Sequence, residues 1–250
     1  MDIKSHLLFL ADKYENKDFL KDDPSRYMHE FQEQKEQEIV AFLAANLAFG
    51  RRDQILKHIE WILEKINTKP SEWILNESYK DVFFYENTSF YRMYSYRAMR
   101  IFFDDMRKIL MESDTLGNHF KLKWEKRSYN DLFLFQVMSK EFSHDCNLIA
   151  HSKNSAAKKL NMFLRWMVRD NSPVDLGIWK WYNKSELLLP LDTHVMQQAT
   201  KFNLINKSSS NKVKSANLKT AIELTEKMKE IFGDDPVRGD FALFGLGVNS

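Results

Sequence analysis

Turn material is what this sequence lacks. Its 250 residues contain 7 glycines and 5 prolines, and a sandwich or barrel of many short strands needs both at nearly every chain reversal. Apolar residues instead recur at three- and four-residue spacing. Ile39, Val40, Leu43, Ala44 and Leu47 form one such face, and Ile55, Ile59, Ile62, Leu63 and Ile66 form a second. That period is the mark of amphipathic helices. The expected fold class is all-α, and a hydrophobic share of 44% with 14% aromatic residues supports a packed core.

Other counts exclude functions. Cys146 is the single cysteine, so the chain has no internal disulfide, four-cysteine zinc site or four-cysteine iron–sulfur cluster. No metal and no cofactor is expected. The apolar run near the N-terminus, Leu7 to Leu10, is too short for a secretory signal. No stretch approaches the roughly 20 apolar residues of a spanning helix. The expectation is a cytoplasmic monomer without a membrane partner. A net charge of +2 permits a nucleic-acid partner only through local clustering of basic residues.

Taken in order, the chain predicts a short helix over 5–16 and a proline turn at 22–27. A strong helix from Glu36 should stop at Phe49-Gly50, with a second helix beyond it. The corner between them offers Asn46, Arg51 and Arg52, which are either ligand contacts or a polar residue near a helix end and two solvated loop charges. Residues 88–111 interleave aromatics with Arg92, Arg97, Arg100 and Arg107. The spacing reads as a core helix with a wet arginine face, and the alternative is a base-stacking surface. A further loop and helix occupy 113–142, and 206–215 is a flexible basic loop. A helix over 215–232 should end at Gly233, and the last helix should start at Pro236 with Asp234 or Asp235 as its cap.

Chemistry concentrates between Asn154 and Gln198. Asn154 or Ser155 is the expected N-cap of a helix running to about Val168. Lys158 then lies in the first turn, where the helix end already carries about half a positive charge. Lys153 and Lys159 add repulsion. Both effects favour the neutral amine, which is the nucleophilic form; the alternative is that Lys158 and Lys159 hold phosphate. Asp192 follows an apolar run and Pro190, and opens the next helix as an N-cap. His194 stands two positions on.

Four long strings carry a resemblance: K-K-L-N-M-F-L-R-W-M-V-R at Lys158–Arg169, V-D-L-G-I-W at Val174–Trp179, P-L-D-T-H at Pro190–His194, and D-P-V-R-G-D-F-A-L-F-G-L-G at Asp235–Gly247. They resemble an uncharacterised bacterial family related to the helix-hairpin-helix DNA glycosylase superfamily. The spacing between lysine and aspartate is similar to the archaeal 8-oxoguanine type, with residues 170–186 as an insertion. The D-T-H string resembles endonuclease III.

That resemblance implies one bilobal helical domain over residues 1–250 with a cleft near 150–198. It implies base excision from damaged duplex DNA, with or without lyase activity, on a flipped purine. Lys158 would be the nucleophile and Asp192 the stabiliser of positive charge, with Lys159 the alternative nucleophile. Asn46, Arg51, Arg52, Lys153, Asn154, Ser155, Lys159 and His194 would hold DNA. Trp166, Trp179, Trp181, Phe241 and Phe244 would wall the base pocket, and Asp175 and Asp240 would add polar contacts. The superfamily's G-x-G hairpin is replaced here by Asn154-Ser155-Ala156.

Overall fold

The computed structural model describes residues 2–86, 88–206 and 213–248. Most of the basic tract at 206–215 therefore lies outside the described residues. In chain order the helices are α1 (Ile3–Tyr14), α2 (Gln34–Leu47), α3 (Arg52–Lys65), α4 (Pro70–Leu75), α5 (Tyr79–Val82) and α6 (Tyr96–Ser113). They continue with α7 (Leu116–Glu125), α8 (Leu134–Lys140), α9 (Lys158–Val168), α10 (Thr193–Lys201), α11 (Leu218–Phe232) and α12 (Gly239–Val248). One two-stranded hairpin, β1 (Ser89–Tyr91) with β2 (Tyr94–Ser95), interrupts them. The fold class is all-α. Among the described residues no helix is long and apolar enough to cross a membrane.

The chain forms two compact units, one from residues 22–151 and one from residues 1–21 with 152–250. In the first, α2 is the central element. Ile39, Val40, Phe42, Leu43, Ala44 and Leu47 are all closed off from solvent, and Phe42 stacks on Phe102 and Phe142. Two carboxylates on α2 are buried as well. Glu36 accepts from the amide and hydroxyl of Ser71 at 2.8 and 2.5 Å, in the first turn of α4. Glu38 accepts from the Gly117 amide at 2.9 Å, in the first turn of α7. Buried carboxylates need such donors, and unpaired amides at helix starts supply them.

Several expectations in this unit need correction. The segment 88–95 is a hairpin, not the start of a helix, and Tyr91 and Tyr94 are buried in its strands. Arg92 takes a positive φ at its tip, and the Tyr91 hydroxyl donates to the Phe49 carbonyl at 2.7 Å. That bond, made across the chain, competes with helical continuation. α2 ends at Leu47, two residues short of Phe49, and α7 falls where the sequence suggested a loop.

In the second unit α12 is the spine. It is apolar on nearly all sides, and Phe241, Ala242 and Leu243 are fully enclosed between α1 and α10. Gly245 lets the α1 helix approach, since a Cβ there would stand 2.5–2.7 Å from Tyr14. α11 ends at Gly233 with φ 65°, as the sequence predicts. The expected cap of the last helix is different. Residues Pro236–Arg238 form one 3-10 turn before α12, and the Asp235 carboxylate caps nothing. Arg169 takes it instead, through Nε at 2.8 and 2.9 Å.

Gly245→Ala tests the close approach. A mid-helix Gly→Ala change ordinarily gains about 0.5–1 kcal/mol. Here overpacking against Tyr14 should reverse the sign, with a loss of about 1–3 kcal/mol in urea unfolding. A gain would contradict the packing described.

Candidate functional site

Both candidate reactive residues belong to the unit of residues 1–21 and 152–250, each at a helix start. α10 begins at Thr193 because Asp192 caps it, with Oδ1 accepting from the Val195 amide at 2.9 Å. The apolar run before it is fixed by the Leu189 amide donating to Thr225 Oγ1 of α11 at 3.0 Å. α9 begins at Lys158, and the sequence expectation for its cap is corrected. Ala157 holds the N-cap position in the left-handed region, φ 43° and ψ 47°, without a side-chain cap. Ser155 Oγ accepts from the Ala157 amide at 3.0 Å. The Asn154 carbonyl accepts from the Leu218 amide at 2.9 Å, and Ser155 bridges Asn217. The hairpin residues are thus spent on joining α9 to α11.

The two helix starts bring Lys158 Nζ to 3.6 Å from Asp192 Oδ2. The Lys158 side chain is 33% exposed and that of Asp192 13%. One carboxylate oxygen therefore caps α10 while the other faces the amine. A partly exposed pair at this distance adds little to stability, roughly 0–1 kcal/mol. Its value is orientation: a carboxylate fixed by a helix start points at one amine.

Behind the pair runs a ladder of charges that the sequence reading missed. Positions 158, 161 and 165 share one face of α9, and Arg169 follows at its end. Asn161 donates to the Ala156 carbonyl at 2.8 Å. Arg165 binds Asp175 through Nε at 3.1 Å and Asp240 through Nη1. Arg169 binds Asp175 at 2.9 Å, and also Asp235 and Glu15. Arg238 reaches Glu15 at 2.8 Å. The signal available was a polar row, Lys158, Asn161, Arg165 and Arg169, crossing the apolar stripe of Leu160, Phe163, Leu164 and Met167.

Burial and the two guanidiniums act oppositely on the acids of this ladder. Burial would raise Glu15, but Arg169 and Arg238 hold its carboxyl below the ordinary value. Asp240 goes the other way. Burial first, then the charges of Asp192 and Asp175, outweigh the pull of Arg165 and Lys158 and push it up to about 7.

The ladder also corrects the expected base pocket. Asp175 lies between Arg165 and Arg169 with its side chain fully buried, so its acceptor oxygens are already used. Asp240 is 6% exposed and held by Arg165. Trp166 and Trp179 are closed in the core, Trp179 standing edge-on to Phe163. Phe241 is enclosed, with the Arg165 guanidinium 4.4 Å from its ring centre. Phe244 and Trp181 are half-buried. Phe244 stands edge-on to the half-buried His194, with ring centres 6.1 Å apart.

Of the residues expected on DNA, Lys153 and Asn154 are exposed and Ser155 and Lys159 are half-buried. Asn46, Arg51 and Arg52 belong to the other unit. Asn46 is fully buried and donates to the Phe42 carbonyl at 2.9 Å, so it is an internal residue of α2 and offers no surface contact. Arg51 is exposed beside Asp53, with Nη2 3.0 Å from its carboxylate, and Arg52 opens α3.

Two outcomes follow. Asp192→Ala should cost about 1 kcal/mol through the lost cap, whereas Asp192→Asn keeps a capping oxygen and should stay within a few tenths; chemical denaturation checks both. For Asp240, the unfolded chain ionises near 3.8 and the folded chain near 7. Between those values the folded state holds the extra proton, so its contribution is full below about pH 4 and is lost as pH rises through 7. Asp240→Asn should therefore gain stability relative to the parent from pH 4 to pH 8.

No curated protein and no solved structure matches the chain at a significant level. A protein-family model does match, over residues 23–249, and that span holds Lys158, Asp192 and all of the ladder except Glu15. The chain belongs to the family described as protein of unknown function, DUF2400.

Proposed function

We propose that this protein is a DNA glycosylase of helix-hairpin-helix type that excises a damaged purine from duplex DNA through a lysine adduct. The observation that carries the reading is the Lys158–Asp192 pair, an amine and a capped carboxylate 3.6 Å apart at two helix starts. The four sequence strings described above give the reading its substrate class.

A base within the duplex is out of reach, so it must first swing out, at a cost of a few kcal/mol. The neutral Lys158 amine gives its electron pair to the sugar C1′. The glycosidic C–N bond breaks, and the base leaves with that bonding pair and takes up a proton. Positive charge building on the sugar is met by the Asp192 oxygen that does not cap α10. Such a fixed charge stabilises far better than reorienting water. Loss of the amine proton and ring opening give a Schiff base at C1′, and removal of the C2′ proton then allows β-elimination of the 3′ phosphate. Phe244 with His194 offers the half-buried aromatic edge for the flipped base. Lys153, Asn154, Ser155 and Lys159 lie on the same unit for phosphate contact.

Borohydride should trap a covalent adduct between the protein and duplex oligonucleotides carrying an 8-oxoguanine or an abasic site. Lys158→Ala should abolish it, and Asp192→Asn should slow it by roughly 100-fold or more. Trapping that survives in Lys158→Ala and vanishes in Lys159→Ala would move the role by one position. Salt-dependent DNA binding with neither an adduct nor base release across a lesion panel would overturn catalysis and leave a nucleic-acid-binding protein.

A further inference from the structure

In the unit of residues 22–151, six aromatic rings that the core leaves in reach of water form one connected row. The ring centres of Phe84 and Tyr85 are 4.0 Å apart, and Tyr85 meets Tyr96 edge-on at 5.5 Å. Tyr96 meets Phe90 at 5.6 Å, and Phe90 in turn meets Trp61 at 5.4 Å and His58 at 5.3 Å. The loop after α5 supplies the first pair, β1 supplies Phe90, the start of α6 supplies Tyr96, and one face of α3 supplies His58 and Trp61. Phe84 and Tyr85 are 56% and 51% exposed, and the other four rings are half-buried. Contiguous apolar surface left in water marks a place where something binds.

Cations flank the row. Lys65 Nζ lies 5.4 Å from the centre of the Trp61 ring. Arg97 and Arg100 follow Tyr96 on α6 and share Glu86, the neighbour of Tyr85. Lys57 precedes His58, and at the hairpin tip the Arg92 guanidinium lies 4.9 Å from the centre of the exposed Phe49 ring. Residues 49–65 and 84–100 together carry seven Lys and Arg against four Asp and Glu. That surplus exceeds the net +2 of the whole chain, and one of the four acids, Glu60, is turned to Arg26.

We propose that this row is a platform for single-stranded nucleic acid. Bases stack on the exposed rings of Phe84 and Tyr85, and phosphates meet Arg97, Arg100 and Lys65. The alternation of ring and cation matches the alternation of base and phosphate along a strand, and every base has a face to stack. Paired bases keep those faces inside the duplex, so the strand must be unpaired. The platform lies wholly within one unit and calls on neither Lys158 nor Asp192, so it stands apart from the function proposed above.

Fluorescence anisotropy of the full-length protein with a labelled, undamaged thymidine oligonucleotide of about 16 nucleotides tests the platform. A uridine counterpart run in parallel separates DNA from RNA as the source of the strand, and tight binding of either supports the proposal. Phe84→Ala and Tyr85→Ala remove exposed rings and leave the core intact. Each should weaken binding by about five- to a hundredfold. Arg97→Ala should lower the slope of log affinity against log salt by about 0.7. Absence of binding by the parent would overturn the proposal, and so would binding that both ring variants leave unchanged. Vesicles of phosphatidylserine and phosphatidylcholine provide a further control. Sedimentation of the parent with them but not of Tyr85→Ala, with both oligonucleotides unbound, would give the surface to a lipid partner and overturn the proposal as well. The probe carries no lesion, so failure of borohydride trapping would sink the glycosylase reading and leave this result standing.

Discussion

The unit that carries Lys158 is tied together by two arginines that are almost wholly buried. Arg165 and Arg169 are 3% and 2% exposed, and each joins segments far apart in sequence. Arg165 ties α9 to Asp175 and to Asp240 on α12. Arg169 ties the end of the same helix to Asp175, to Asp235 and to Glu15 beyond α1. Removing one partner from such a buried network typically costs about 3–5 kcal/mol, because the other charge is left stranded. The network therefore fixes the depth and rotation of α9. Lys158 stands two turns up the same face from Arg165, so its place beside Asp192 follows from that rotation.

The helices were legible because their apolar periods are long and uninterrupted. Ile39 to Leu47 and Leu160 to Met167 needed nothing beyond spacing, and Asp192 was legible as a cap from the apolar run and proline before it. What stayed hidden has one physical cause, which is that distant partners override local preference. Asp235 looks like a cap, yet Arg169 offers it a charged, bidentate-capable donor and wins. Asn154 and Ser155 look like caps as well, but their backbone is engaged with Leu218, the first residue of α11, and with Asn217, its N-cap. Ala157 is consequently left to open α9 in a left-handed conformation that costs about 1–2 kcal/mol. No local pattern announces that choice.

The aromatic residues teach the same lesson with the opposite sign. Trp166, Trp179 and Phe241 have the composition of a base-stacking pocket, and in the fold they are core. Large rings bury most apolar area per residue, so the interior claims them first. Phe244 escapes because it lies one turn beyond Asp240 toward the end of α12, where it meets His194. Side chains with some access to solvent on this unit include Lys158, Asp192, His194 and Phe244: an amine, a carboxylate, an imidazole and an aromatic edge. That set suits attack on an electrophilic carbon beside a flat ring.

The claim at the centre of this account is that one amine, at position 158, is the reacting atom. The most direct measurement is proteolysis of a borohydride-reduced protein–DNA adduct followed by mass spectrometry of the nucleotide-bearing peptide. The account predicts a sugar remnant on the Lys158 side chain, with Lys159 unmodified. A remnant on a lysine elsewhere in the chain would contradict it, and so would an adduct spread over several surface lysines.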